Sequence, residues 1–249
     1  MNNKDKKGFT LVELSIVLVI IGLLIGGILV AQSMIETTKI QSLTRQIGQF
    51  DAAVSTFVDK FNALPGDNTL FDATGDADGN GTIQDDGTAL AENSGEIAQF
   101  WNDLSNTGLK NEGGAAYAAT EGAVTINTTA PQAKAGSNAA VVAFGVSGVN
   151  YYQLQNMTAM GDATFDNGAD AFKPSAALAI DTKMDDGNAG AGYVMAAEGT
   201  GLNDVALTAD ATSGDGECVG STTAVYDVAY DSDDCQLRIR IGSSTGNLQ

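Results

Sequence analysis

The sequence predicts an α+β fold in which one long N-terminal helix, spanning a membrane in its first half, packs through its second half on a small antiparallel β-sheet with long loops. Three observations predict it. Phe9–Ala31 is a continuous apolar run interrupted by one charge, Glu13. From Ile40 to Leu64 the apolar residues recur at alternating steps of three and four, the period of a one-sided helix, with no proline before Pro65. Near the C-terminus Leu237, Ile239 and Ile241 alternate with Gln236, Arg238 and Arg240, the period of a half-buried strand.

Composition narrows what such a fold can do. The 249 residues allow one domain or two small ones. There is no histidine, which excludes Ser-His-Asp and Cys-His nucleophile systems and any imidazole metal site. Catalysis would rest on carboxylates, lysines or tyrosines, and no aromatic cluster marks a pair of acids for glycosidase chemistry. No enzyme is predicted. Twelve Lys+Arg stand against 31 Asp+Glu, a net charge of -19. So acidic a surface repels phosphate backbones, and no nucleic-acid contact is predicted. It suits a location outside the cytoplasm or the binding of divalent cations.

The N-terminal elements follow in order. Residues 1–8, MNNKDKKG, carry Lys4, Lys6 and Lys7 against Asp5, and this basic flank predicts a cytoplasmic N-terminus. At 1.5 Å per residue the helix from Phe9 to Ala31 spans roughly 34 Å, enough for a bilayer's hydrocarbon core. It is too long for a secretory signal peptide and no A-x-A site follows it. A carboxylate inside such a run is costly, so Glu13 reads as functional.

These residues carry a resemblance. Gly8-Phe9-Thr10-Leu11-Val12-Glu13, after a short basic leader and before an unbroken apolar helix, resembles the prepilin processing motif of type IV pilins and type II secretion pseudopilins. The resemblance implies cleavage after Gly8 by a prepilin peptidase and N-methylation of Phe9. It assigns residues 1–8 to a leader, 9–31 to a transmembrane and filament-core helix, 32–64 to its amphipathic continuation, and 65–249 to an exported pilin head. It implies that Glu13 pairs with the Phe9 ammonium of a neighbouring subunit, setting register more than stability. The partners it implies are further copies of the chain, the peptidase, the inner membrane and an inner-membrane assembly platform. The chain has no Walker motif, so a separate ATPase must drive assembly. The implied function is a structural subunit of a type IV pilus-like filament. The alternatives are a pseudopilin or a minor pilin with a binding head. The chain would sit singly spanning the inner membrane before assembly, and in a periplasmic or cell-surface filament after it. One departure is Val30, where many pilins have a helix-kinking proline; Gly22, Gly26 and Gly27 supply flexibility instead.

Beyond Ala31 the stripe is Ile40, Leu43, Ile47, Phe50, Val54, Phe57, Phe61 and Leu64, with Lys39, Arg45, Asp51 and Lys60 opposite. A coiled-coil dimer would use the same stripe; one helix packed on a globular domain fits the predicted sheet better. Leu64-Pro65-Gly66-Asp67 ends the helix. Next, Asp76-Ala77-Asp78-Gly79-Asn80-Gly81-Thr82-Ile83 places oxygen ligands and a glycine as an EF-hand loop does, which predicts calcium on Asp76, Asp78, Asn80 and the Thr82 carbonyl. Position 12 is Gly87, so Asp85, Asp86, Glu92 or Glu96 must close the site. The plainer alternative is an acidic turn. Glu96–Leu104 reads as a short helix ended by Gly108, with Trp101 a core anchor rather than a ligand platform. Pro174 and Gly187 bracket another helix, where Asp185 and Asp186 form a turn or an ion site. LPGD, the acidic turn, the aromatic helix and this last segment together resemble a group of uncharacterised pilin-like proteins. Predicted strands are Ala123–Asn127, Val141–Phe144, Tyr151–Leu154, Gly192–Ala197, Ala224–Tyr230 and Gln236–Ile241.

Cys218 and Cys235 are the only cysteines. In an exported chain they form a disulfide, since zinc would lack half its ligands. Many type IV pilins carry such a C-terminal disulfide loop, pseudopilins less often.

Overall fold

A computed structural model describes residues 10–72, 75–84, 94–109, 116–120, 122, 124–146, 148–156, 170–197, 218–220 and 225–242. The predicted leader (residues 1–8), Phe9, Asp85, Asp86, Glu92, Ala123 and Ala224 lie outside the described residues. The described elements are α1 (Leu11–Phe61), α2 (Gly95–Asn106), β1 (Ala139–Val146), β2 (Val149–Asn156), α3 (Pro174–Met184), β3 (Val194–Ala197) and β4 (Gln236–Arg240). The chain divides into two compact units, one up to Lys39 and one from Ile40 onward.

The first unit is the N-terminal part of α1. Gly22, Gly26 and Gly27 lie within the helix, which runs unbroken from Leu11 to Phe61.

The second unit is an α+β domain, as predicted. Leu43, Ile47, Phe50, Val54 and Phe57 of the stripe are wholly buried, and Phe61 and Leu64 pack against the core at its edge. The helix ends three residues before Leu64 because Asn62 turns left-handed at φ 56°, its N–H bonding the Val58 carbonyl at 2.8 Å. Asp51 is a correction. The helical stripe puts it on the solvent face, yet it is fully buried, because its carboxylate accepts the Gly242 N–H at 2.9 Å and ties the C-terminal segment to α1.

The sheet is antiparallel in the order β1-β2-β4-β3. Leu237 and Ile239 face the core as the alternation predicted. The opposite face is less open than it predicted. Arg238 is buried with its guanidinium over the Phe144 ring at 4.8 Å and the Tyr151 ring at 5.5 Å, and Gln153 donates to Gln236 at 3.3 Å. Burial lowers the Arg238 pKa to about 10. Two predicted strands are not strands. Residues 124–127 make one isolated bridge, Ile126 to Ala130, around Asn127 at φ 63°, and residues 225–230 make one bridge, Val219 to Tyr226, before a turn.

Helix α2 ends in a Schellman motif, with Leu109 N–H on the Leu104 carbonyl and Gly108 N–H on the Ser105 carbonyl. Its aromatic face meets α1 and the sheet. Trp101 stacks on Tyr152 with centroids 6.1 Å apart, tilts against Phe50 at 4.6 Å, and donates its indole N–H to the Val141 carbonyl at 2.8 Å. It is a core anchor, as the sequence implied.

Candidate functional site

Three features are built to act: an exposed apolar helix with one carboxylate, a disulfide-closed loop, and an acidic pocket.

The first half of α1 is long and apolar enough to cross a membrane, and its most apolar window is entirely unburied. Leu11, Leu18, Leu23, Leu29 and Ile35 are all exposed. At its start Glu13 takes part in a capping box. Its Oε2 accepts the Thr10 N–H and the Thr10 hydroxyl, each at 2.8 Å, and the Glu13 N–H donates to Thr10 Oγ1 at 3.3 Å. Thr10 of the motif is thus the cap residue of α1. The signal was there, a Thr-x-x-Glu preceding an apolar run.

Cys218 and Cys235 are disulfide-bonded, their Cα atoms 4.9 Å apart. Cys235 also exchanges two backbone hydrogen bonds with Phe172, at 2.9 and 3.0 Å. Closing a loop of this length contributes about 3 kcal/mol in the chain-entropy account.

The acidic turn folds back on α2. Carboxylate oxygens of Asp67, Asp78 and Glu96 lie within 4.8 Å of one another. Asp67 is buried and accepts from the N–H groups of Gly79 (2.6 Å), Asn80 (3.2 Å) and Gly81 (2.7 Å). Glu96, also buried, accepts from Asp78 N–H at 3.2 Å and Gln84 N–H at 2.8 Å. Gly66 lets the chain pass α2, since a Cβ there would sit 2.3 Å from the Glu96 carbonyl oxygen, and its φ is 85°. Asp67, Gly79 and Gly81 also line a cavity of about 400 Å³ with Phe61, Leu64 and Leu70.

Of the four residues predicted to hold calcium, Asp78 joins this group. The Asp76 carboxylate is not part of it. Asn80 Oδ1 accepts the Thr82 N–H at 2.7 Å and Asn80 Nδ2 donates to Asp78 at 2.7 Å. Glu96 is the closing candidate that arrives. Asp67, which the sequence offers only as part of the helix-ending turn, is the carboxylate that sequence reasoning missed; the EF-hand template looks along one loop and cannot see a carboxylate nine residues before its first position, Asp76.

A second acidic group, Asp181, Asp185 and Asp186, serves the turn after α3. Asp181 accepts from Gly187 N–H at 3.0 Å and from the Tyr226 hydroxyl at 2.8 Å, and Asp186 from Asn188 N–H at 2.8 Å. Asp185 accepts the Tyr193 N–H.

Burial pushes three carboxyls up. Glu96 rises to about 8, first by desolvation and further by Asp67, against the pull of its two N–H donors. Asp103, which accepts the Gly66 N–H at 2.8 Å, rises to about 6 by desolvation. Asp181 also rises, by desolvation, with Asp185 and Asp186 adding to it. The sign follows. Above the ordinary carboxylate range the folded state holds more protons than the unfolded one, so stability is lost as pH rises toward the folded value. In chelator, the domain is expected to be most stable near pH 4–5, and its melting temperature to fall steadily to about pH 8. A melting temperature that rises across that window contradicts this assignment.

Residues 3–29 match a family model described as the prokaryotic N-terminal methylation motif. No curated protein and no solved structure gives a match. The matched residues include Gly8, Phe9, Thr10 and Glu13, so the chain carries the processing and methylation signature of type IV pilins and pseudopilins.

Proposed function

We propose that the chain is a structural subunit of a type IV pilus-like filament, cleaved by a prepilin peptidase and assembled through α1. The observation that carries this reading is the methylation motif leading directly into an exposed apolar helix of membrane-spanning length. Such a helix is held by lipid before assembly, and by copies of itself afterwards, because no other described part of the chain covers it. Glu13 of one subunit pairs with the Phe9 ammonium of the next; the separate ATPase and the platform supply the work. The domain from Ile40 onward is then displayed in the periplasm or at the cell surface. A role as pseudopilin in type II secretion is the second reading. The disulfide loop favours the first. Fibres sheared from cells should contain the chain by peptide mass identification. A chain confined to the periplasm, with no surface fibre, would favour the pseudopilin.

In this reading the Asp67–Asp78–Glu96 pocket takes a divalent cation, calcium by the hardness of its donors. Three clustered carboxylates repel one another, and the two turns and the helix that hold them are exported to a calcium-rich medium. With glycine at the twelfth position the affinity is on the order of 10⁻⁴–10⁻³ M. The domain is expected to melt at a higher temperature in millimolar calcium than in chelator, and Asp78→Ala to remove the difference. Identical melting curves reduce the motif to an acidic turn.

A further inference from the structure

We propose that the cavity at the C-terminal end of α1 binds a small neutral molecule that joins an apolar body to a carbonyl oxygen, an acylated apolar amide being the simplest case. Its volume, about 400 Å³, lies in the range of small-molecule sites, roughly 300–1,000 Å³. The apolar part of its wall is Val58 and Phe61 of α1, with Leu64, Leu70 and Ile241. Leu70 is 76% exposed, apolar surface that the fold itself leaves in water and that a ligand would cover. One buried polar group of the wall lacks a partner. Asn68 is 2% exposed, and its Oδ1 accepts the Leu70 N–H at 2.8 Å, which fixes the carboxamide. Its Nδ2 then has no acceptor among the described residues. A buried N–H left so is costly, and native folds satisfy nearly all of them.

The other polar side chains of the wall are already served. Asn150 Oδ1 accepts the Ile83 N–H at 2.9 Å and its Nδ2 donates to the Gly81 carbonyl at 2.9 Å. The Asp67 carboxylate holds the N–H groups of Gly79, Asn80 and Gly81. Asn62 and Thr69 are exposed to water. The cavity therefore asks one thing of a polar ligand, an acceptor for Asn68. Charge sets the rest. An anion would accept from Nδ2 but would sit against Asp67, in a chain of net charge -19. A cation brings no acceptor. A carbonyl on an uncharged molecule meets both conditions, and its apolar body takes the Phe61, Leu64 and Leu70 side. The cation pocket uses the Asp67 carboxylate, whereas this site needs the Asn68 carboxamide, so neither depends on the other.

The test is titration of the isotope-labelled full chain, in lipid nanodiscs and chelator, with N-acetyl-leucinamide, read by NMR at the Asn68 side-chain NH₂ pair and at the backbone amides of Leu64 and Leu70. A saturable shift at all three is expected, with half-saturation on the order of 1 mM, the scale of a ligand this small. N-acetyl-glycinamide, which lacks the apolar body, is expected to bind at least about tenfold more weakly. N-acetyl-leucine, which carries a carboxylate on the same body, is expected to bind more weakly too. Asn68→Asp keeps the acceptor for Leu70 and removes the donor, and is expected to lose the shifts at Leu64 and Leu70. Ala63→Phe fills the cavity and leaves Asn68 in place; it is expected to lose them as well, and it decides the matter if Asn68→Asp does not fold. A cavity held by water alone gives no saturable shift in the parent, which overturns the proposal. Binding of parent strength in a folded Asn68→Asp or Ala63→Phe chain overturns it equally.

Discussion

Glu13→Ala is expected to abolish ordered filament assembly while leaving membrane insertion intact. The two halves have opposite physical origins. A carboxylate within an apolar helix costs about 2.5–3.5 kcal/mol on insertion scales when central and less near the end, so its loss makes the helix a better membrane span. Assembly suffers because a neighbouring ammonium, carried into the same low-dielectric layer, loses its countercharge. An uncompensated buried charge costs about 3–5 kcal/mol, which is enough to defeat one register against its neighbours. The capping box complicates the substitution, since Glu13 also satisfies the Thr10 N–H of its own helix. Thr10→Ala separates the effects. It removes the Thr10 hydroxyl from the cap, at about 1 kcal/mol, and keeps the carboxylate. Electron microscopy of fibres from the two variants decides between them: Thr10→Ala should assemble and Glu13→Ala should not. Filaments of normal abundance and order from Glu13→Ala would refute the pairing.

Trp101→Ala is expected to cost the domain about 4 kcal/mol, a quarter or more of the ~5–15 kcal/mol by which a typical domain is stable. Trp101 is 1% exposed and touches Phe50, Phe100, Tyr117 and Tyr152, so its removal opens a cavity that rings on three elements cannot collapse to fill. It also leaves the Val141 carbonyl without its donor, a further cost of about 1–3 kcal/mol. Trp101→Phe retains most of the ring area and should recover more than half of the loss. Urea unfolding followed by circular dichroism measures both. An alanine variant within about 1 kcal/mol of the parent would mean that the cluster is not the core.

How much of this was legible in the sequence depended on whether the signal was local. The stripe from Ile40 to Phe57 and the alternation through Ile239 report the period of one element, and both elements formed where read. Trp101 and the disulfide were legible because burial of a lone tryptophan and pairing of two exported cysteines need little context. What the sequence hid was long-range. Asp51 looks like a surface residue until Gly242, near the other end of the chain, arrives to donate to it. Asp67 and Glu96 belong to separate segments and meet only because Gly66 lets the turn lie against α2. Ala224–Tyr230 reads as a strand by alternation, yet Tyr226 is claimed by Asp181 of α3 and the run closes into a turn. Local period sets the element; the partner that arrives from far away decides the site.

The central claim is that residues 1–8 are a leader removed to leave a filament-forming helix, and the most direct measurement is the intact mass of the chain isolated from membranes or fibres. A mature chain that begins at N-methylated Phe9 and carries one disulfide between Cys218 and Cys235 is expected. A protein that retains Met1–Gly8, or one that begins beyond Ala31, would contradict it.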